Sequence, residues 1–267
     1  MLSYFHIRRL HYIGYILLPQ GWYTLRALVI GDVHSNLEAF ETVIRDAKER
    51  GGFDQIWSLG DLVGYGPDPV ACIDLLRQHE YKAVVGNHDL ASIGKLSLEA
   101  FNSFAAETNR WTSSQLPEDY VSFLMDLPLK LEIGEFTLVH GSPRDPIWEY
   151  VVSVPTAVAS FMHFDTYQCL LGHSHIPFIC RPKEDGAMFL EFPENTNIKL
   201  GTNRLIINPG GLGQPRDGDP RTSYALYDSN NDSITHYRVE YEYRKTQEKM
   251  KSLELPEFLI KRLGEGR

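Results

Sequence analysis

Six times along this chain a short apolar run stops abruptly at a polar, glycine-rich loop, and that repeated junction restricts the possible folds more than any other feature. Ala27-Leu28-Val29-Ile30 leads into Gly31-Asp32-Val33-His34, Gln55–Leu59 into Gly60-Asp61, and Lys82–Val85 into Gly86-Asn87-His88-Asp89. Phe136–Val139 leads into His140-Gly141, Cys169–Leu171 into Gly172-His173-Ser174-His175, and Leu205–Ile207 into Asn208-Pro209-Gly210-Gly211. Runs this short, bounded by turn residues, read as strands buried in a sheet. Asn36–Arg50 intervenes as an amphipathic helix with Leu37, Phe40, Val43, Ile44 and Ala47 on one stripe; Ser35 or Asn36 can cap it and Gly51-Gly52 can end it. Asp68–Gln78 reads as a second helix. Alternating strands and helices specify an α/β sheet whose ligands bind in loops at the carboxyl ends of the strands.

The second half adds strands at Phe178–Cys180, Tyr224–Tyr227 and Ile234–Val239, the last two joined through a turn at Asp228-Ser229-Asn230-Asn231-Asp232. The pattern supports an α/β fold of two packed mixed β-sheets flanked by helices, a four-layer α-β-β-α sandwich. One domain is expected over residues 26–240, with a helical insertion at about 97–126 carrying Phe101, Phe104, Trp111 and Tyr120. Residues 241–267 read as a peripheral helical tail. Residues 1–25 contain Arg8, Arg9 and a short apolar run from Ile13 to Leu18, too short to span a bilayer and followed by no small-x-small cleavage site. They read as a non-catalytic N-terminal extension.

With 26 basic and 35 acidic residues the net charge is −9, which argues against a bulk nucleic-acid or anionic-membrane binder. A phosphate ester remains an acceptable substrate because metal ions can supply positive charge locally. Cys72, Cys169 and Cys180 show no C-x-x-C spacing; they read as core residues in a reducing, cytoplasmic setting.

The polar loops carry the chemistry. In an extended backbone Asp32 and His34 would share a face and point at one ion. Asp61 has two oxygens and can bridge two ions, Asn87 offers a neutral oxygen, and His88 has a nitrogen available for proton transfer. Singly, Asp-x-His is common and Gly-Asn is turn chemistry. His173 and His175, one residue apart after a buried strand, are harder to explain as packing. Five of the ten histidines fall in these motifs. Asp32, His34, Asp61, Asn87, His140, His173 and His175 suffice for two adjacent metal sites sharing an Asp, and paired divalent ions ~3.5–4 Å apart serve in-line displacement at phosphorus. Mixed N/O ligation without Cys suits Mn, Fe, Zn, Co or Ni.

The set resembles the calcineurin-like metallophosphoesterase superfamily from about Arg26 to about Arg238. Gly60-Asp61-Leu62-Val63-Gly64-Tyr65-Gly66-Pro67 and Asn208-Pro209-Gly210-Gly211 are similar to its prokaryotic small-phosphodiesterase branch. The resemblance implies the same sandwich, with Asp32, His34, Asp61 and His175 on one divalent ion and Asp61, Asn87, His140 and His173 on the other. It also implies attack by a metal-bridging hydroxide, with His88 as the candidate catalytic acid. Many relatives read Gly-Asp-x-x-Asp-Arg-Gly where this chain has Gly64-Tyr65-Gly66, so the carboxylate that orients the catalytic His and a phosphate-binding Arg are both missing; Asp89 is a candidate orienter. The glycines of Asn208–Gly213 allow close backbone approach to a ligand, and Arg216 and Arg221 are candidate phosphate contacts.

The expected activity is hydrolysis of phosphodiesters or small phosphorylated molecules, with manganese among the expected metals. A Ser/Thr protein phosphatase is disfavoured by the missing Asp-Arg pair; a dinucleoside polyphosphate hydrolase stays open. A non-enzymatic scaffold of this fold, such as the retromer subunit, has a degraded site, whereas all seven positions are filled here. The expected partner is a small phosphorylated substrate, with no nucleic-acid surface and no membrane, and the oligomeric state is left open. Deleting residues 1–25 is expected to leave turnover unchanged, measured on the truncated and full chains side by side; a folded truncation that has lost turnover would give the extension a part in the site.

Overall fold

The computed structural model of the protein describes residues 24–267. Nearly all of the expected N-terminal extension lies outside the described residues. Its last residue, Leu25, belongs to the fold: its N–H donates to Ser229 Oγ at 2.7 Å and its side chain packs against the core.

The chain runs β1 (Arg26–Ile30), α1 (Leu37–Glu49), β2 (Gln55–Ser58), α2 (Pro69–Arg77), β3 (Tyr81–Ala83) and α3 (Asn87–Ser92). Then come α4 (Ser103–Gln115), α5 (Glu118–Asp126), β4 (Lys130–Ile133), β5 (Phe136–Val139), α6 (Val154–Phe161), β6 (Gln168–Leu170), β7 (Phe178–Lys183) and β8 (Gly186–Leu190). The last elements are β9 (Asn197–Lys199), β10 (Leu205–Asn208), β11 (Thr222–Asp228), β12 (Ser233–Val239), α7 (Tyr243–Ser252) and α8 (Glu257–Arg262).

Two six-stranded mixed sheets form, ordered β3-β2-β1-β11-β12-β9 and β4-β5-β6-β10-β7-β8. In each, three strands whose ends carry the polar loops run parallel, β1 with β2 and β3, β5 with β6 and β10. The two-residue period of a strand divides the core into layers. Leu28 and Ile30 face the helices with Phe40, Val43 and Ile73, while Ala27 and Val29 face the other sheet with Trp57, Leu138, Leu170 and Ile207. Cys169, Cys180 and Ile206 turn outward to pack under α6 with Ala157 and Phe164. All three cysteines are free and buried.

The sequence pattern does not reveal β4, β8, β9 or α6. The three strands lie at sheet edges and are largely half-buried or exposed; β4 and β9 mix apolar with charged or polar side chains, while the apolar run of β8, Ala187–Leu190, ends at no glycine-rich polar loop.

The C-terminal segment, expected as a peripheral tail, is helical but not peripheral. Met250, Leu255, Leu259 and Leu263 form one buried cluster with Tyr65 and Ala105, against which Phe101 and Trp111 of the insertion pack. α7 also grips the start of α1, immediately after the Asp32–His34 loop. Asn36 caps α1 through Ala39 N (3.2 Å) and donates from Nδ2 to Gly213 O (2.8 Å) and Tyr241 OH (3.1 Å). Thr246 Oγ1 donates to the acceptor pair Asn36 Oδ1 and Glu38 Oε2, at 3.0 and 3.1 Å. Lys249 Nζ lies 2.7 Å from Glu38 and 2.8 Å from Asp68.

Burial opposes the charge of Glu38, but Lys249 and Lys245 outweigh it and hold its carboxyl below the ordinary 4.5. A lowered folded value means stabilisation that is complete above the unfolded value and lost as pH falls through the folded one. Glu38→Gln is therefore expected to cost about 1–2 kcal/mol near neutrality. The gap to the parent in chemical-denaturation midpoints should close on acidification; a gap independent of pH would remove the ion pair as its cause.

Candidate metal centre

The polar loops are stitched to one another by their backbones. Asp32, His34 and Ser35 donate their N–H groups to Gly60, Asp61 and Leu62 carbonyls (3.2, 2.9 and 3.1 Å), Gly172 N–H to His140 O (3.0 Å), and Leu212 N–H to Gly31 O (2.8 Å). Of the non-glycine residues with positive φ, most lie in these loops: Asp32 (56°), His34 (48°), Ser35 (53°), Asp61 (52°), Tyr65 (57°), His173 (64°) and His175 (59°). Asp32 and His34 do not alternate along an extended strand, as their spacing suggests. Left-handed backbone at both, held by the neighbouring loop, sets their directions instead. Such conformations are costly for residues with a Cβ and persist where surrounding structure over-determines them, commonly at functional sites. Gly86 shows how tightly the loops close, since a Cβ there would collide with the carboxylate and backbone of Asp61.

The seven side chains converge. Asp32, His34 and His175 form one group of potential ligand atoms within 4.8 Å of one another, and Asp61, His140 and His173 form another. Asp61 Oδ2 lies between them, 3.6 Å from His34 Nε2 and 3.4 Å from His140 Nε2. Asn87 Oδ1 joins the second group 2.9 Å from His140 Nε2. Asp32 is anchored by the His173 N–H at 2.9 and 3.1 Å, and its Oδ1 lies 3.3 Å from His175 Nε2.

The imidazole tautomers test whether this set fits cations. Each ring has one nitrogen on a backbone carbonyl: His34 Nδ1 on Val63 O (3.2 Å), His140 Nδ1 on Leu59 O (2.9 Å), His175 Nδ1 on Gln214 O (2.6 Å), and His173 Nε2 on Trp148 O (3.3 Å). A carbonyl only accepts, so that nitrogen carries the proton and the opposite nitrogen presents a lone pair. Those lone pairs face one another, His34 Nε2 to His175 Nε2 at 3.1 Å and His140 Nε2 to His173 Nδ1 at 3.0 Å. Protons do not relieve the crowding. Burial, then the nearby His175 and His88 rings, keeps His34 well below the ordinary imidazole range, and burial also lowers His140, His175 and, to about 2, His173. Burial and the charges of Asp89 and Asp32 drive Asp61 well above the ordinary carboxylate value. Converging lone pairs and buried carboxylates at two adjoining points fit two metal cations.

A model of the calcineurin-like phosphoesterase superfamily domain matches residues 25–232. The chain belongs to that superfamily. The chain is 39% identical over 244 residues to an uncharacterized protein of Methanocaldococcus jannaschii, covering 90% of this chain and 97% of that protein. It is 44% identical to a metallophosphoesterase from Sphaerobacter thermophilus of known crystal structure, with a TM-score of 0.83 over 92% of this chain and 100% of that one. It is also 24% identical over 181 residues to the symmetrical bis(5'-nucleosyl)-tetraphosphatase of Proteus mirabilis, covering 64% of this chain and 66% of that protein.

Around this centre the other expected residues divide. His88 is buried beside it, its ring 4.9 Å from that of His34. Asp89 does not touch His88: its carboxylate accepts the N–H groups of Val63 (3.0 Å) and Gly86 (2.9 Å), and burial pushes it up to about 6. The amide of Asn109, in the insertion, takes the place beside His88 instead, with Oδ1 3.1 Å from Nδ1. Arg216 lies 5.8 Å from the Tyr65 ring and has Gln214 Oε1 as its hydrogen-bond partner (2.9 Å). Arg221 is engaged elsewhere, pairing with Asp219 (2.5 Å) and Glu194 (2.6 Å), two carboxylates that already neutralise its charge.

The Asn208–Gly213 loop packs against protein rather than opening to a ligand. Asn208 Nδ2 donates to Gly172 O (2.7 Å), and the open faces of Gly211 and Gly213 abut His175 and Val33. Sequence reasoning missed Asn109, Tyr150, which stacks on His173 at 3.8 Å, and Arg262 of α8. Arg262 lies between Leu259 and Leu263, which pack in one cluster with Tyr65, and burial, then the Arg216 charge, lowers it to about 10. None of the three has a motif; long-range packing alone brings them here. No helix among the described residues is long and apolar enough to cross a membrane.

Asp61→Asn is expected to cut bound metal from about two equivalents to one or fewer, because the oxygen between the two groups loses its charge. Elemental analysis of reconstituted, desalted protein measures this, with thermal unfolding as a check on folding. Full occupancy in the variant would exclude a bridging role.

Proposed function

We propose that this chain is a divalent-metal-dependent phosphoesterase acting on small phosphodiesters. In this reading Asp32, His34, Asp61 and His175 hold one ion, and Asp61, Asn87, His140 and His173 hold the other. The position of Asp61 Oδ2 between two sets of inward-facing imidazole lone pairs carries the proposal. When bound, such a pair of ions supplies an acidified water for in-line attack and positive charge for the phosphoryl oxygens.

The chain's own residues do the rest. The four backbone carbonyls hold the imidazoles in the ligating tautomer, so no proton has to leave before binding. His88 has one ring nitrogen on Asn109 and no hydrogen-bond partner at Nε2 among the described residues. Burial, then the Arg216 charge, holds it well below the ordinary range in the free protein. A bound phosphate ester brings the negative charge that lets Nε2 carry a proton to the leaving oxygen. Arg216, 5.8 Å from the Tyr65 ring, supplies donors for non-reacting phosphate oxygens.

Aromatic rings crowd the histidines of the centre: Tyr65 lies 4.7 Å from His34 and Tyr150 stacks on His173 at 3.8 Å. Phe101 links the rings of His88 (5.1 Å) and Trp148 (5.0 Å). An aromatic border with a nearby guanidinium group favours an ester with a planar, nucleoside-like substituent. That supports a dinucleoside polyphosphate as a second substrate, in line with the name of the Proteus mirabilis relative. The physiological metal is drawn from Mn, Fe, Zn, Co and Ni by ligand chemistry.

His88→Ala is expected to keep its metal and lower turnover by roughly 10²–10⁴-fold, with a smaller loss for an aryl phosphodiester whose leaving group needs little protonation. A screen of purified parent and variant with each of the five metals tests both halves. No hydrolysis by the parent with any of them would sink the phosphoesterase reading; metal lost from the variant would make His88 a ligand.

A further inference from the structure

We propose that Asn109, on the insertion helix, is a positioning residue for His88, receiving the Nδ1 proton so that Nε2 is the atom that exchanges a proton with the leaving group. The proposal rests on the reading of His88 as the proton carrier of a phosphoesterase. Three observations carry it.

The first is the hydrogen bonding of the amide. Its Oδ1 is reached by two donors from α3, the His88 Nδ1–H at 3.1 Å and the Ser92 hydroxyl at 3.2 Å. Both acceptor positions of that oxygen are thus filled, and His88 and Ser92, one helical turn apart, converge on it.

The second is the unusual placing of the amide. Asn109 is fully buried in the interior of α4, where asparagine is a poor helix former, and its Nδ2 has no hydrogen-bond partner. A residue needed only to fill space would be better met by an apolar side chain, which leaves no buried amide unsatisfied. The oxygen makes the contacts, and the ring of His88 is among its partners.

The third is the vacated space at Gly64. A Cβ there would lie 2.8 Å from His88 Nδ1 and 3.1 Å from Asn109 Oδ1, and its φ of +89° suits glycine alone. The loop after β2 gives up a side chain where the ring and the amide meet.

The proton count is then simple. Nδ1 keeps its proton on Asn109 throughout. Nε2 holds one proton taken from water, whose hydroxide oxygen forms the new bond to phosphorus, and delivers that proton to the leaving oxygen as the ester P–O bond breaks. That oxygen keeps the electron pair of the bond and departs as a neutral alcohol, and His88 returns to its neutral form.

Asn109→Ala and Asn109→Asp, compared on phosphodiesters whose leaving groups run from 4-nitrophenoxide to unsubstituted phenoxide, test the assignment. Asn109→Ala should lower kcat about tenfold or more for the phenyl ester and little for the 4-nitrophenyl ester, with KM and metal content unchanged. Asn109→Asp, which still offers an acceptor oxygen, should restore most of the loss. An equal loss across the series without rescue by Asp would reduce Asn109 to packing and overturn the proposal, as would parent-like rates in the alanine variant.

Nitrogen-15 NMR of histidine-labelled protein in a diamagnetic form supplies a readout that does not need turnover. The parent His88 should be protonated at Nδ1, and the alanine variant should show a shifted tautomer balance. If the parent hydrolyses no ester, the phosphoesterase reading fails by itself. The ring signature then still decides on Asn109, and an unchanged tautomer in the alanine variant overturns its role.

Discussion

Four buried imidazoles, each tied by one nitrogen to a main-chain carbonyl, set the terms for everything around them. The carbonyls of Leu59 and Val63 belong to the loop after β2, that of Trp148 to the segment after β5 and that of Gln214 to the loop after β10. Every loop must therefore be in place before the opposite nitrogens converge. The resulting cluster of lone pairs and carboxylates, placed where water cannot screen it, is unfavourable without cations, and the surrounding fold has to hold it. Left-handed backbone at Asp32, His34, Asp61, His173 and His175 is part of that cost.

The retaining structure is the sandwich together with its C-terminal helices. β1 ends on the Asp32–His34 loop and α1 begins directly after it, so the grip of Thr246, Lys249 and Tyr241 on the start of α1 also braces that loop. On the opposite side the same helices pack with the insertion around Tyr65, whose ring lies 4.7 Å from His34 and 4.3 Å from His88. Two segments outside the strand-and-loop pattern thereby form one wall of the centre. That wall carries Asn109 and Phe101 of the insertion, both beside the His88 ring.

The layers and the ligand types were legible because both are local signals. Short apolar runs bounded by turn residues, such as Phe136–Val139, mark strands buried on both faces, and aspartate, asparagine and histidine at strand ends bring their chemistry with them. The half-exposed edge strands β4 and β9 carry no such run. Arg221 looked equivalent to Arg216 along the chain, yet Asp219 and Glu194 occupy it in space. Asp89 sat next to His88 in sequence and still turned its carboxylate to Val63 and Gly86, because a short helix sends adjacent side chains in different directions.

Residue order therefore specified the α/β sandwich, its parallel strands and the identity of seven potential ligands, since strand burial and donor chemistry are read over a few neighbouring residues. Contacts between distant parts of the chain settled which nitrogen of each imidazole faces inward, which arginine stays free of carboxylates, and which group stands beside His88. Asn109 lies 21 positions from His88, and Thr246 lies 210 from Asn36. No local propensity encodes such pairings; they exist once the sheets, the insertion and the C-terminal helices have packed together.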